Sequence, residues 1–100
     1  MVSKSNGTWF VYMLECANDK IYTGITNNLE NRFNAHVSGK GARFTKANPP
    51  LHMLAAKPCK DATEARKLER WIKSCRRAKK RLIAGEWPLT KGLPKSPNSF

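Results

Sequence analysis

The stretch that most constrains the fold is Trp9–Cys16, which is apolar on both faces except at Glu15. Aromatic and β-branched residues dominate it, and its length suits a largely buried strand. Turn residues follow at Asn18-Asp19, and Ile21–Thr26 then predicts a second strand. These segments are expected to form a β-hairpin.

Two tyrosines lie on the predicted hairpin, one on each strand, at Tyr12 and Tyr22. They share a face of the sheet only if the turn pairs even positions with even positions. A shift of one residue would move either side chain to the opposite face, and the sequence does not determine that register.

A helix is predicted after the hairpin, with Asn27 as N-cap and Glu30 as its capping-box partner. Ser38-Gly39 marks the expected end. The apolar stripe of this helix comprises Leu29, Phe33 and Val37. The connection 39–46 is basic and punctuated by glycine, with room for one short helical turn, and Leu51–Ala56 predicts a third strand.

The strongest helical signal is Asp61–Ile83, with Asp61 as its cap and one broad apolar face. Nine basic residues and one acid, Glu69, lie between Arg66 and Arg81. The apolar face comprises Ala65, Leu68, Ile72, Cys75 and Leu82.

Composition limits the function. One hundred residues make one small domain, and a hydrophobic fraction of 40% is enough for a modest core. Nineteen Lys and Arg against seven Asp and Glu give a net charge of +12, which favours a polyanionic partner such as nucleic acid. Charge separates neither DNA from RNA nor binding from catalysis. No apolar stretch is long enough to span a membrane, and the polar start of the chain predicts a cytoplasmic protein.

The three cysteines, Cys16, Cys59 and Cys75, are far apart and odd in number. They form neither a disulfide framework nor a Cys-x-x-Cys zinc motif. We interpret them as small hydrophobic residues.

Glu69 falls on or beside the core-facing stripe of the long helix, so two interpretations stay open. Its carboxylate could pair with a neighbouring cation, for which Arg66, Arg70 and Lys73 are the candidates. It could instead be a ligand of a hard divalent cation, which often takes only one or two carboxylates from a protein.

Arg32 and His36 are four residues apart and project from one side of the first helix. Taken singly, each is an ordinary helical residue, and Tyr12 and Tyr22 are ordinary strand aromatics.

In chain order, however, these residues resemble the GIY-YIG nuclease domain over about residues 9–83. The two family triplets align with Phe10-Val11-Tyr12 and Tyr22-Thr23-Gly24, although Phe10, Val11 and Thr23 replace family residues. Asn31–His36 matches the helix that carries an arginine and, in several members, a histidine. Glu64–Lys73 matches the helix with the metal-binding glutamate. For the additional asparagine of some members, only Asn98 is available.

The resemblance implies hydrolysis of a phosphodiester with one Mg²⁺ or Mn²⁺ held by Glu69. Tyr12 would orient or deprotonate the attacking water, with help from the metal, from Arg32, or from a hydrogen bond to Tyr22 or His36. Arg32 would neutralise charge on the phosphoryl oxygens. Gly24 is expected to permit close approach of backbone or substrate. The residues expected to contact nucleic acid are Gly24, Lys40, Arg43, Lys46, Lys73, Arg76 and Arg77.

The expected fold is therefore α/β of the α+β type, a three-stranded antiparallel sheet flanked by helices in the order strand-strand-helix-strand-helix. Residues 9–84 form the domain, with tails at 1–8 and 85–100. The expected function is metal-dependent DNA endonuclease activity, selective for DNA structure and serving repair or processing. The alternative is a non-catalytic DNA- or RNA-binding module of the same fold.

Overall fold

The computed structural model describes residues 8–88. A three-stranded antiparallel sheet with strand order β2-β1-β3 carries helices on both faces, which confirms the predicted α+β fold. The strands are β1 (Trp9–Cys16), β2 (Lys20–Thr26) and β3 (Pro50–Cys59). The helices are α1 (Leu29–Val37), α2 (Arg43–Ala47), α3 (Ala62–Lys73) and α4 (Arg77–Glu86).

The central strand is β1, which explains why its sequence is apolar on both faces. Val11 and Met13 point into a core formed with α3 and α4, and both are fully buried. Tyr12 and Leu14 point the other way, into a core that includes Phe33 of α1. Because β1 pairs with a strand on each side and is covered on each face, its polar side chains have no route to solvent unless they lie near an end.

The hairpin turn sets the register on which the tyrosines depend. Asn18 and Asp19 both adopt left-handed backbone conformations, with φ of 63° and 59°, which these residue types tolerate. The turn pairs Tyr12 with Gly24 and Leu14 with Tyr22. Even positions therefore face even positions, and the two tyrosines lie on the same face of the sheet.

Helix α1 begins one residue later than predicted. Asn28, not Asn27, is the N-cap, and its side chain accepts a hydrogen bond from the Asn31 N–H at 3.0 Å. The Thr26 hydroxyl accepts from the Asn28 N–H at 3.0 Å and draws the backbone into this geometry. The predicted end is confirmed, since Ser38 caps the helix and Gly39 takes a positive φ of 82°.

The predicted single helix over 61–83 is wrong, because the structure has two helices there. The Ser74 hydroxyl donates to the Trp71 carbonyl at 2.6 Å and the Cys75 thiol donates to the same oxygen, which closes α3. Arg76 then takes an extended conformation before α4. Leu82, predicted to lie on the buried face, is consequently 73% exposed, because it belongs to a helix of different orientation.

The remaining differences lie at the ends of elements. The short turn expected within 39–46 is α2, and β3 extends to Cys59 rather than stopping at Ala56. Helix α4 continues to Glu86, and Trp87 packs into the core. Most of the predicted tails and Asn98 lie outside the described residues. Within residues 8–88, no helix is long and apolar enough to cross a membrane.

Candidate active site

Tyr12 is fully buried at the centre of the sheet, and Gly24 makes its position possible. A Cβ atom at Gly24 would lie 2.6 Å from the Tyr12 hydroxyl oxygen and 3.0 Å from the Tyr22 ring. No side chain fits between the strands there. Gly24 was expected to permit a close approach, and the group that approaches it is Tyr12.

His36 of α1 lies directly against Tyr12. Its Nε2 atom is 2.8 Å from the Tyr12 hydroxyl oxygen, and its Nδ1 atom is 2.7 Å from the Thr45 hydroxyl oxygen on α2. The imidazole is 1% exposed. A Cβ atom at Gly41 would lie 2.4 Å from Nδ1, so the 39–42 connection passes tightly over the ring.

Thr45 and Gly41 are site residues that sequence reasoning missed. The sequence of the connection 39–46 indicates only a basic segment that glycines interrupt. The available signal was the pattern Gly39-x-Gly41 shortly after a helical histidine. A glycine that is not required by a turn often marks a place where the backbone approaches another group closely.

Arg32 lies one helical turn before His36, and its guanidinium lies near the Tyr12 and Tyr22 hydroxyls. Burial raises the pKa of Tyr12 to about 12, although the neighbouring Arg32 opposes that shift. Burial also lowers the pKa of His36 to about 4, and the positive charge of Arg32 adds to this effect. At neutral pH the phenol and the imidazole are therefore both uncharged, while Arg32 carries its charge.

Tyr22 forms the partly exposed side of this cluster. Its ring centroid is 5.0 Å from that of His36, 6.3 Å from that of Tyr12 and 5.7 Å from that of Phe44. The Lys73 ammonium lies 5.8 Å from the Tyr22 ring centroid. Phe44 is another neighbour that sequence reasoning missed, and it covers Tyr22 from α2.

Glu69 reaches the same cluster from α3. Its side chain is 21% exposed and pairs with Lys73 at 3.1 Å, one of the three partners considered from the sequence. Its negative charge contributes to the raised pKa of Tyr12, and its partner Lys73 lies over the Tyr22 ring. The predicted position beside the core stripe is confirmed, because Ala65 and Ile72 of α3 are buried on either side.

The structure brings all five predicted catalytic residues into one neighbourhood: Tyr12, Tyr22, Arg32, His36 and Glu69. They come from β1, β2, α1 and α3. Three ring–ring contacts and the Tyr12–His36 hydrogen bond connect Tyr12, Tyr22 and His36, and Arg32 lies near both tyrosines.

The predicted nucleic-acid contacts divide into two groups. Lys40, Arg43 and Lys46 are exposed on and before α2, and Arg76 is exposed at the start of α4. Arg77 instead forms an ion pair with Asp19 at 3.3 Å, so part of its role is to hold α4 against the hairpin turn.

The donor set is compatible with one hard divalent cation. Among residues 8–88, no three His, Cys, Asp or Glu side chains cluster as a metal site. Mg²⁺ commonly takes one or two carboxylates together with water and substrate phosphate oxygens. The partly exposed carboxylate of Glu69 meets that requirement once Lys73 releases it.

Comparison with known proteins agrees with this geometry. A family model described as the GIY-YIG catalytic domain matches residues 8–82. A UPF0213 protein of Xanthomonas axonopodis pv. citri is 50% identical over 72 residues, covering 72% of this chain and 71% of the relative. A UPF0213 protein of Cupriavidus necator is 38% identical over 86 residues, covering 86% and 94%.

Among solved structures, this chain is similar to the solution NMR structure of the UPF0213 protein BH0048 from Bacillus halodurans. The identity is 33%, the TM-score is 0.49, and the match covers 81% of this chain and 87% of the other. The family model spans both triplets, the arginine–histidine helix and the glutamate helix. The chain belongs to the GIY-YIG catalytic domain family.

Proposed function

We propose that this protein is a divalent-metal-dependent endonuclease that hydrolyses phosphodiester bonds in DNA. The observation that carries the proposal is the contact between the Tyr12 hydroxyl and His36 Nε2, at 2.8 Å, with the charge of Arg32 near the same phenol. A phenol with a proton acceptor at its oxygen and a cation nearby is suited to act as a general base toward water.

Proton movement follows from those two neighbours. With its pKa raised to about 12, Tyr12 is almost never ionised at neutral pH by itself. Because burial lowers the pKa of His36 to about 4, the imidazole is too weak a base to take the Tyr12 proton ahead of the reaction. Tyr12 would instead pass its proton to His36 Nε2 as it takes the proton of the attacking water, and the charge of Arg32 would stabilise negative charge on the phenol oxygen during the transfer. Arg32 would also stabilise the negative charge that develops on the phosphoryl oxygens.

Substrate entry requires a local movement. Tyr12 has no exposed surface, whereas Tyr22 and Arg32 are partly exposed beside it. A phosphate that binds the Arg32 guanidinium beside the phenol would shift the neighbouring side chains and open a path for water, with Arg32 still close to the Tyr12 oxygen. Tyr22 then lies between solvent and Tyr12 as a second phenol able to hydrogen-bond the phosphate or the water.

Glu69 would hold the divalent cation, which as a Lewis acid would supply stabilisation of charge on the scissile phosphate and the leaving oxygen. Its release from Lys73 leaves the Lys73 ammonium free to contact a phosphate beside Tyr22. The ion pair therefore keeps a metal-binding carboxylate and a phosphate-binding amine together until substrate arrives.

Basic side chains flank the cluster on two sides and would position DNA through its phosphates. Lys40, Arg43 and Lys46 lie on the α2 side, and Lys73 and Arg76 lie on the α3–α4 side. Contacts of this kind fix register without reading bases. We therefore expect selectivity for DNA structure, such as branched or nicked duplexes in repair, rather than for sequence.

The alternative is a non-catalytic DNA- or RNA-binding module. One observation favours it, the complete burial of Tyr12, because a hydroxyl that water cannot touch performs no base catalysis.

The test is cleavage of a labelled panel of single-stranded, duplex, nicked, flapped and four-way DNA, with and without Mg²⁺ or Mn²⁺. Glu69→Gln keeps the size of the side chain and removes its charge. Glu64→Gln is the matched control, since it makes the same change on α3 at a residue that accepts from the Lys60 N–H. Metal-dependent cutting that Glu69→Gln abolishes and Glu64→Gln retains supports the nuclease. Tight binding without cutting in either metal overturns it in favour of the binding module.

A further inference from the structure

We infer that Thr45 is a positioning residue that sets the tautomer of His36, so that Nε2 faces Tyr12 without a proton. The inference rests on the proposed function for its catalytic meaning, but its structural content concerns only hydrogen positions. Those positions follow from a hydrogen-bonded chain that runs from Tyr12 through His36 and Thr45 to a backbone carbonyl.

The first end is the Tyr12 hydroxyl, which can either donate or accept a hydrogen bond. Among the described residues, the side chain at hydrogen-bond distance from it is His36, through Nε2 at 2.8 Å. Tyr12 by itself is therefore compatible with either tautomer, and the partner of the other ring nitrogen decides which one forms.

The second end is a group that only accepts. The Thr45 hydroxyl donates its single proton to the Ala42 carbonyl oxygen at 2.9 Å. Its oxygen is 2.7 Å from His36 Nδ1 and must accept there. Nδ1 therefore carries the imidazole proton, Nε2 carries none, and the Tyr12 hydroxyl donates to Nε2.

This tautomer is the opposite of the one that a histidine side chain favours in water, so the protein has to impose it. The hydrogen bond made at one ring nitrogen is what decides the state of the other. His36 is also neutral at physiological pH, since burial lowers its pKa, so one of its nitrogens is necessarily free to accept.

The backbone between His36 and Thr45 supports the same function. Gly41 passes so close to Nδ1 that even a methyl group would collide with the ring, at 2.4 Å. Ala42, whose carbonyl ends the chain of hydrogen bonds, is the N-cap of α2, and Thr45 lies within the first turn. The segment 41–45 thus holds the ring from the side opposite Tyr12. The basic charge of the segment 41–45 does not by itself predict this contact with His36.

The experiment is ¹⁵N NMR of the imidazole nitrogens, which distinguishes Nδ1–H from Nε2–H without any substrate. The chain has only two histidines, so assignment needs one His52→Gln sample. We expect Nδ1–H in the wild-type protein. Thr45→Val keeps the side-chain shape and removes the acceptor, and should move the proton to Nε2. Thr45→Ser should restore the wild-type signal.

Cleavage assays give the catalytic half of the test. Thr45→Val should lose about ten- to a hundred-fold in cleavage rate, as loss of an orienting partner of a histidine commonly does, and Thr45→Ser should recover it. Nε2–H in the wild-type protein overturns the inference even if Thr45→Val fails to fold. An unchanged tautomer in folded Thr45→Val, or wild-type cleavage despite the switch, also overturns it. A wild-type protein that cuts no DNA but shows the predicted NMR changes would refute the nuclease alone.

Discussion

The two faces of the sheet bury side chains of the same strand equally deeply, but they surround them with different chemistry. On the face covered by α3 and α4, Val11 and Met13 contact other apolar side chains. On the face covered by α1, Tyr12 lies at the same depth, contacts an imidazole and has the charge of Arg32 nearby. All three strand residues are 0% exposed.

One face of β1 therefore contributes to stability, and the other also carries the polar groups of the site. An apolar group is stabilised wherever water is excluded, while a buried hydroxyl is tolerated only with its hydrogen-bond partners present. Val11 and Met13 can therefore be replaced by other side chains that pack, whereas Tyr12 depends on a particular partner from α1.

The greatest loss of cleavage is expected for a substitution on the face covered by α1. Tyr12→Phe should lower the cleavage rate by about 10²- to 10⁴-fold, the usual worth of a general acid or base. It should cost about 1–3 kcal/mol of unfolding free energy, because His36 Nε2 is left without a donor. Denaturant unfolding measured beside cleavage separates the two effects. A folded variant that cuts at near wild-type rate would show that the phenol takes no part in the reaction.

On the opposite face, Met13→Ala is expected to reduce stability much more than cleavage. A cavity in this core should remove about 2–5 kcal/mol of unfolding free energy. Cleavage per folded molecule should fall far less than in Tyr12→Phe, because Tyr12, Arg32 and His36 lie across the sheet and Glu69 is on the partly exposed side of α3. Urea titration and cleavage at low temperature check this. Loss of cleavage in the folded protein would mean that the two faces are coupled.

The pH dependence of stability should also distinguish the faces. Burial lowers the pKa of His36 to about 4, and the charges and titratable groups facing it are Arg32, Tyr12 and Tyr22. Between the usual histidine value and pH 4, the unfolded chain binds a proton that the folded protein does not. The contribution of His36 is therefore present above about pH 6.5 and is lost as the pH falls toward 4.

Thermal unfolding from pH 7 to pH 4 measures this slope. His36→Gln should flatten it, and Met13→Ala, which removes no titratable group, should keep it. A wild-type slope in His36→Gln would mean that other groups account for the acid sensitivity.

Two glycine-to-alanine substitutions are expected to change cleavage and stability the least. Gly24→Ala should push the Tyr12 hydroxyl from its place and reduce cleavage by about ten-fold, since small misplacement of a reacting group is costly. Gly85→Ala in α4 meets no atom within 4 Å and should raise the unfolding free energy by about 0.5–1 kcal/mol. Cleavage and unfolding of the two variants are compared directly. Equal behaviour would indicate that Tyr12 tolerates displacement.

Much of this architecture was predictable from local patterns. The apolar run of β1, the turn at Asn18-Asp19 and the spacing of Leu29, Phe33 and Val37 each specify an element through short-range physics. The place of Glu69 beside the α3 stripe follows from helical periodicity alone. The break at Ser74 was missed because a hydroxyl that bonds back to the Trp71 carbonyl leaves no mark in the hydrophobic period.

Periodicity and turn chemistry act over a few residues, so they predict which segments become strands and helices and which of their faces are apolar. Tertiary packing instead places Gly24 opposite Tyr12, brings Arg32 and His36 to the same phenol, and brings Thr45 to the imidazole. These contacts join different elements of the fold. They depend on strand register and on how closely α1 and α2 pack, and neither is encoded in a local pattern.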